Sequence, residues 1–277
     1  MILVNITNGF GNNLFQYNAA KLLADFLDQD LLAIAPSTRY YAIPFLEEMG
    51  INFGSLHPTM PIHSRIDDKN YKSFFDEKYK ECNLLLSGYF EDYTNFKSEI
   101  DKISSWYPKV EKRKDNDLVI HFRAGDRLLY KNEFDTKPSV DKYLKAIEKF
   151  NFDNMHIVTD MPKWDYITED ELASMKFHVS TSPSMHVEPY KSVEYFNSIV
   201  EGLSIFNPNM KKRNVLEDFN FIRTFNNILF QHGTLGWWAA ALSEADNVGV
   251  YGPWRSWKGA SNKNLSDVGF EGWFKWE

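Results

Sequence analysis

Short, largely apolar runs, each followed by a segment with helical spacing, recur along this chain, and that alternation constrains the fold more than any other feature. Ile2 to Ile6 reads as a strand. A loop of Asn and Gly follows, and from Asn13 to Leu27 the residues Phe15, Ala19, Leu22 and Phe26 recur at helical spacing, which predicts one apolar face. The run Leu84-Leu85-Leu86-Ser87-Gly88 is a further buried strand ended by Gly. The pattern restarts with the strand Leu118-Val119-Ile120-His121-Phe122. A helix over Val140 to Phe150 comes next, with Tyr143, Leu144, Ile147 and Phe150 on one side, and then a strand over His156 to Thr159. Farther on, Phe219 to Phe230 is mostly apolar, Leu235 to Leu242 reads as a helix and Val248 to Tyr251 as the last strand. Such alternation indicates an α/β protein with parallel sheets and crossover helices.

Between the two α/β patterns, Pro108 to Asp117 is rich in Lys, Glu and Asp without apolar period and reads as a linker. A chain of 277 residues has room for two Rossmann-sized halves. The expected domains are residues 1–114 and 115–277, with the last helix free to pack back on the first. A formal charge of -7 argues against nucleic acid as a partner, because such proteins need a positive field to displace counterions from phosphates. The single cysteine, Cys82, forms no intramolecular disulfide and reads as a small buried hydrophobe. The start Met1-Ile2-Leu3-Val4-Asn5 lacks the basic residues and apolar length of a signal peptide, and no run reaches the ~20 apolar residues of a membrane span, so the expected location is cytoplasmic.

Three constellations carry chemistry. Asn8-Gly9-Phe10-Gly11-Asn12-Asn13 lies between strand and helix, where glycines permit positive φ and close approach to an anion; a structural turn with an Asn cap explains it equally well. His121-Phe122-Arg123-Ala124-Gly125-Asp126 ends a strand, where open α/β sheets bind ligands. There an Arg can grip a diphosphate and a nearby carboxylate can take a proton. The plainer reading is a surface ion pair of Arg123 with Asp126, worth about 0 to 1 kcal/mol. Gly233-Thr234 precedes an apolar helix as a cap or a phosphate cradle, and Trp237 and Trp238 behind it read as core.

These segments together resemble the α-1,2-fucosyltransferase family. Gly9-Phe10-Gly11-Asn12-Asn13-Leu14-Phe15-Gln16-Tyr17 is similar to its G-x-G-N-Q-x-F-Q-Y signature, and Gly88-Tyr89-Phe90-Glu91-Asp92-Tyr93 to its G-Y-[WF]-Q segment. His121 to Asp126 resembles the H-x-R-R-G-D motif shared with α-1,6- and protein O-fucosyltransferases. Val158-Thr159-Asp160-Met161-Pro162 is similar to the S-D-D-P strand end, and Gly233 to Ala239 to the S-T-F-S-W-W segment. Order and spacing hold over nearly the whole chain.

The resemblance implies a GT-B fold, two Rossmann-like domains facing across a cleft, and inverting, metal-independent transfer from a nucleotide sugar, GDP-fucose, to a glycan acceptor. By similarity Arg123 holds the β-phosphate, His121 and Asp160 contact ribose or base, and Gly233, Thr234 and Gly11 belong to the donor site. Asn12 stands near the reacting centre on the acceptor side, and Asp126 is the candidate general base. Ala124 stands where the family has a second Arg, Asn13 where it has Gln and Gly233 where it has Ser. Those departures leave open a UDP-pentose or UDP-hexose donor, or a glycan-binding protein on a decayed transferase. Asp28-Gln29-Asp30 and Asp115-Asn116-Asp117 read as solvated surface rather than metal ligands, and His156, His178 and His186 have no ligating spacing.

Overall fold

The computed structural model describes residues 1–55, 59–123, 131, 136–160, 189–231, 233–252 and 265–277. They form two compact units, Met1–Val110 and Glu111–Glu277. In the first, β1 (Ile2–Asn5), β2 (Leu31–Ile34), β3 (Ser64–Ile66) and β4 (Leu84–Leu86) make a parallel sheet in the order β2-β1-β4-β3. Ile2 stands opposite both Leu31 and Leu84, and Ile2, Leu3 and Val4 are fully buried, the signature of a central parallel strand covered on both faces.

Helix α1 (Phe10–Leu27) starts earlier than the apolar spacing predicts, so Phe10, Gly11 and Asn12 are helical rather than in a loop. The residue with positive φ is Asn8, at 69°, while Gly9 caps the helix in an extended conformation with no side-chain bond. Asn tolerates the left-handed region because its short polar side chain can bond locally, and here its Nδ2 donates to Thr7 Oγ1. Phe15, Ala19 and Leu22 are buried as the spacing indicates, but Phe26 is 48% exposed, with its ring 5.4 Å from that of Phe75. Cys82 is half-buried.

The second unit holds six parallel strands: β5 (Leu118–Phe122), β6 (Met155–Thr159), β7 (Asn209–Met210), β8 (Asn227–Phe230), β9 (Asn247–Tyr251) and β10 (Trp273–Trp276). Their order is β10-β9-β8-β5-β6-β7. Counted within the unit, this is the Rossmann order: the chain steps outward from β5 in one direction, returns past it, and steps outward in the other. β10 lies beyond the strand that the sequence suggests as the last. Its aromatic run pairs with β9 from Trp273 opposite Val248 to Trp276 opposite Tyr251.

One face of this sheet carries α2 (Val140–Ile147) and α3 (Pro189–Gly202), the latter with Val193, Phe196 and Ile199 buried at helical spacing. Leu118, Ile120 and Phe122 point to that face and pack with Tyr143, Ile147, Phe196 and Ile199. The alternate residues of β5 and β6 face α4 (Val215–Arg223) and α5 (Thr234–Ala241): the His156 ring lies 5.5 Å from Phe221 and 5.2 Å from Phe225. Trp237 and Trp238 are fully buried, as expected, with ring centroids 4.8 Å apart. The last described helix, Leu265–Val268, is held by the Trp237 Nε1–H bond to Val268 O, 2.6 Å.

The charged stretch before β5 is not solvated throughout. Asp117 is 3% exposed and accepts from Arg113, from the Asn154 backbone and side chain, and from His156 at 2.9 Å. Burial works to raise its pKa, but the bonds from His156 and Asn154 and the charge of Arg113 hold it below the usual carboxylate range. Local composition reads such a residue as surface; partners 37 and 39 positions away bury it.

Candidate active site

The reversal of strand order between β5 and β8 leaves a crevice at their carboxyl ends, where open α/β sheets take ligands. Four sequence-predicted residues meet at this edge. Arg123 follows β5 by one residue and Asp160 follows β6 by one residue; because Phe122 pairs with Thr159, register sets the two side by side. Their side chains form an ion pair, 33% and 29% exposed. Gly233 and Thr234 stand after β8, where α5 begins.

Gly233 caps α5 with φ 129° and ψ 137°, a conformation that side chains rarely adopt. A Cβ at that position would meet Arg123 Cγ at 3.5 Å, an ordinary contact, so it is the backbone conformation that calls for a glycine. Gly233 supplies no side-chain cap to α5, and no acidic residue stands in the first turn. A helix start of this kind favours an anion.

His121 is not at an open surface. It is 4% exposed, turned under α5, and a Cβ on Gly236 would come within 2.5 Å of its Nδ1. Among the described residues that Nδ1 has no hydrogen-bond partner. Burial first, and Arg123 second, lower its pKa to about 3, so the ring is neutral. Contact with a ligand through this side chain would require α5 to move; in the present geometry it supports α5 and Arg123 from below.

Asp218 and Arg213 belong to none of the motifs quoted above. Asn214 and Glu217 form a capping box that starts α4, and Asp218 is the next residue. Burial, opposed by Arg213 and reinforced by Glu217 and Asp160, raises the Asp218 pKa to about 7. Its Oδ1 lies 3.7 Å from Arg213 Nη1, and the Arg213 guanidinium lies 3.6 Å from the centre of the Phe221 ring. A perturbed carboxyl next to a ligand crevice is a functional-site signal. The sequence does carry one cue, the Asn-x-x-Glu box that places Asp218 in a first helical turn.

Gly11 and Asn12 lie in the first unit, on the first turn of α1, Gly11 buried and Asn12 half-buried. Their neighbours show what the adjoining motif does. Gln16 accepts from the Thr7 N–H at 2.9 Å and donates to Thr7 Oγ1 and Gly88 O, both 2.9 Å, while Asn13 donates to Thr7 O at 2.8 Å. The segment after β1 is thereby stitched to the exit of β4. At that exit a Cβ on Gly88 would lie 2.5 Å from Asp68 Oδ2, and Asp68 accepts from the N–H groups of Tyr89 and Phe90. Asp126, with Ala124 and Gly125, lies outside the described residues, as do His178 and His186. Among the described residues no three His, Cys, Asp or Glu side chains are grouped to hold a metal ion, and no helix is long and apolar enough to cross a membrane.

No protein-family profile and no curated protein matches the chain. Solved structures similar to it over most of its length include the following three. A mutant of Arabidopsis thaliana FUT1 in complex with GDP is 11% identical, with a TM-score of 0.44, over 93% of this chain and 70% of that one. The NodZ alpha-1,6-fucosyltransferase soaked with GDP-fucose is 13% identical, with a TM-score of 0.40, over 87% and 92%. Fucosyltransferase NodZ from Bradyrhizobium is 11% identical, with a TM-score of 0.36, over 87% and 93%.

Proposed function

We propose that this protein is a glycosyltransferase that moves L-fucose from GDP-fucose to a hydroxyl of a glycan acceptor, with inversion and without a bound metal. The observation that carries the reading is Arg123, paired with Asp160 beside the glycine that opens α5, at the switch point of a Rossmann-order sheet. The choice of fucose and of GDP rests on the sequence motifs quoted above.

In this mechanism the guanidinium of Arg123 donates two parallel N–H bonds to the β-phosphate, replacing its bond to Asp160. The N–H groups of α5 and the Thr234 hydroxyl take further phosphate oxygens. Asp160, released from Arg123, accepts from ribose hydroxyls, the task a strand-end carboxylate performs in dinucleotide sites. Asp126 takes the proton of the acceptor hydroxyl as its oxygen attacks the anomeric carbon, with Asn12 on the acceptor side. The C1–O bond breaks and its electrons remain on the β-phosphate, where fixed positive charge lowers the barrier. Gly11 is assigned to donor binding by the motif resemblance alone.

Calorimetric titration with GDP and UDP, with and without EDTA, tests this. GDP should bind more tightly than UDP, and transfer from GDP-fucose should survive the chelator. Tighter UDP binding would replace the donor. Activity lost with EDTA and restored by manganese would remove the metal-free mechanism, and no response to either nucleotide would favour a glycan-binding module.

A further inference from the structure

Few large apolar side chains are exposed among the described residues, and one of them stands on the carboxyl edge of the first sheet. Tyr41 is 53% exposed, yet it is not loose. Its hydroxyl accepts the Phe10 N–H at 3.1 Å, and its ring meets Tyr40 edge-on with centroids 5.2 Å apart. Tyr40 is itself fixed, its hydroxyl within hydrogen-bond reach of both Asn8 O and Asn13 Oδ1, with one proton shared between them. Burial raises the Tyr40 pKa to about 12, so this phenol remains a donor at neutral pH. The other exposed aromatics differ: Phe26 and Phe75 cover each other near the opposite end of α1.

A rigid aromatic ring held partly in water forgoes the stabilisation that burial of a large apolar side chain yields, and a preorganised ring recovers it when a ligand covers it. Its surroundings specify the ligand. The same turn carries the exposed Asn8 and the half-buried Asn12, whose amides both donate and accept. One flat apolar surface beside amides matches a pyranose, which presents axial C–H groups on one face and hydroxyls at its rim. The carboxyl edge of a parallel sheet is also where such ligands bind.

We propose that Tyr41 is the platform on which a pyranose ring of the acceptor glycan lies, with Asn8 and Asn12 beside it for the sugar hydroxyls. This rests on the glycosyltransferase reading and assigns its acceptor subsite. The competing role is structural, since the Tyr41 hydroxyl satisfies one of the unbonded N–H groups at the start of α1. Tyr41→Phe removes that bond and keeps the ring; Tyr41→Ala removes both.

The test is saturation-transfer NMR of methyl β-D-galactopyranoside and methyl β-D-glucopyranoside in the presence of GDP, on the wild type and both variants. We expect transfer from the protein to the ring C–H protons of at least one glycoside in the wild type and in Tyr41→Phe. In Tyr41→Ala, binding should weaken about tenfold or more, the loss of one stacked contact, while the GDP signal shows that the variant is folded. Equal glycoside signals in Tyr41→Ala, equal losses in Tyr41→Phe and Tyr41→Ala, or no glycoside signal in the wild type would each overturn the proposal. Absence of a GDP signal in the wild type would instead overturn the nucleotide-sugar reading, and the glycoside comparison would still decide Tyr41.

Discussion

Arg123 and Asp160 stand side by side because each is the first residue past a pair of neighbouring parallel strands in register, Phe122 opposite Thr159, and their side chains close into an ion pair. Parallel strands lie about 4.8 Å apart, so the contact follows from register rather than from any local signal. A partly exposed pair of this kind adds little stability, which leaves it free to exchange a carboxylate for a phosphate.

Arg123→Ala is expected to lower turnover about 10²- to 10³-fold, the usual effect of removing a group that stabilises developing charge. Arg123→Lys should recover little, because an ammonium offers a point charge where the guanidinium offers a fork. Steady-state rates with GDP-fucose decide it, and a Lys variant near the wild-type rate would rule out bidentate recognition.

Asp126→Asn keeps the shape of the residue and removes a base. A general base predicts unchanged GDP affinity and a kcat lower by about 10²- to 10⁴-fold. Weakened GDP binding with little change in kcat would make Asp126 a positioning residue for Arg123.

Asp218 gives stability a pH dependence whose sign follows from the raised folded-state pKa, about 7 against an ordinary 3.8. Between those values the unfolded chain has released a proton that the folded chain retains, so the contribution is fully present below the unfolded pKa and is lost as pH rises to about 7. Asp218→Asn removes this slope. Thermal melts should show the variant more stable than the wild type near pH 8, and the advantage should shrink toward pH 4. Parallel curves for the two proteins across that range would show that Asp218 titrates normally.

Gly236→Ala places a methyl group within 2.5 Å of His121 Nδ1, under α5. Overpacking of this kind costs about 1–3 kcal/mol, and it should also weaken GDP binding by shifting the start of α5. In a His121→Ala background the same substitution should cost much less, a coupling that a double-mutant cycle in denaturant measures directly. Additive effects would mean that α5 does not rest on His121.

Much of the fold is legible in local pattern, because burial on both faces of a parallel strand demands continuous apolar residues, as in Leu118 to Phe122, and because helices that cover such strands repeat at helical spacing, as in Tyr143 and Ile147. The same logic places Arg123 at a strand end and buries Trp237 and Trp238. Other features depend on which strands become neighbours, and that choice is made by contacts between residues far apart in the chain. The Rossmann order, the meeting of Arg123 with Asp160, the burial of Asp117 by His156 and the raised pKa of Asp218 all arise in this way. Positive φ at Asn8 rather than at Gly9 belongs with them: the hydrogen bonds of Gln16 and Tyr40 to that turn set its backbone. The residues and their local periods therefore determined the kinds of elements and the strand-end location of the site. Tertiary structure alone decided which of them meet, because an electrostatic environment is a property of spatial neighbours: Asp160 lies 37 residues from Arg123, and His156 lies 39 from Asp117.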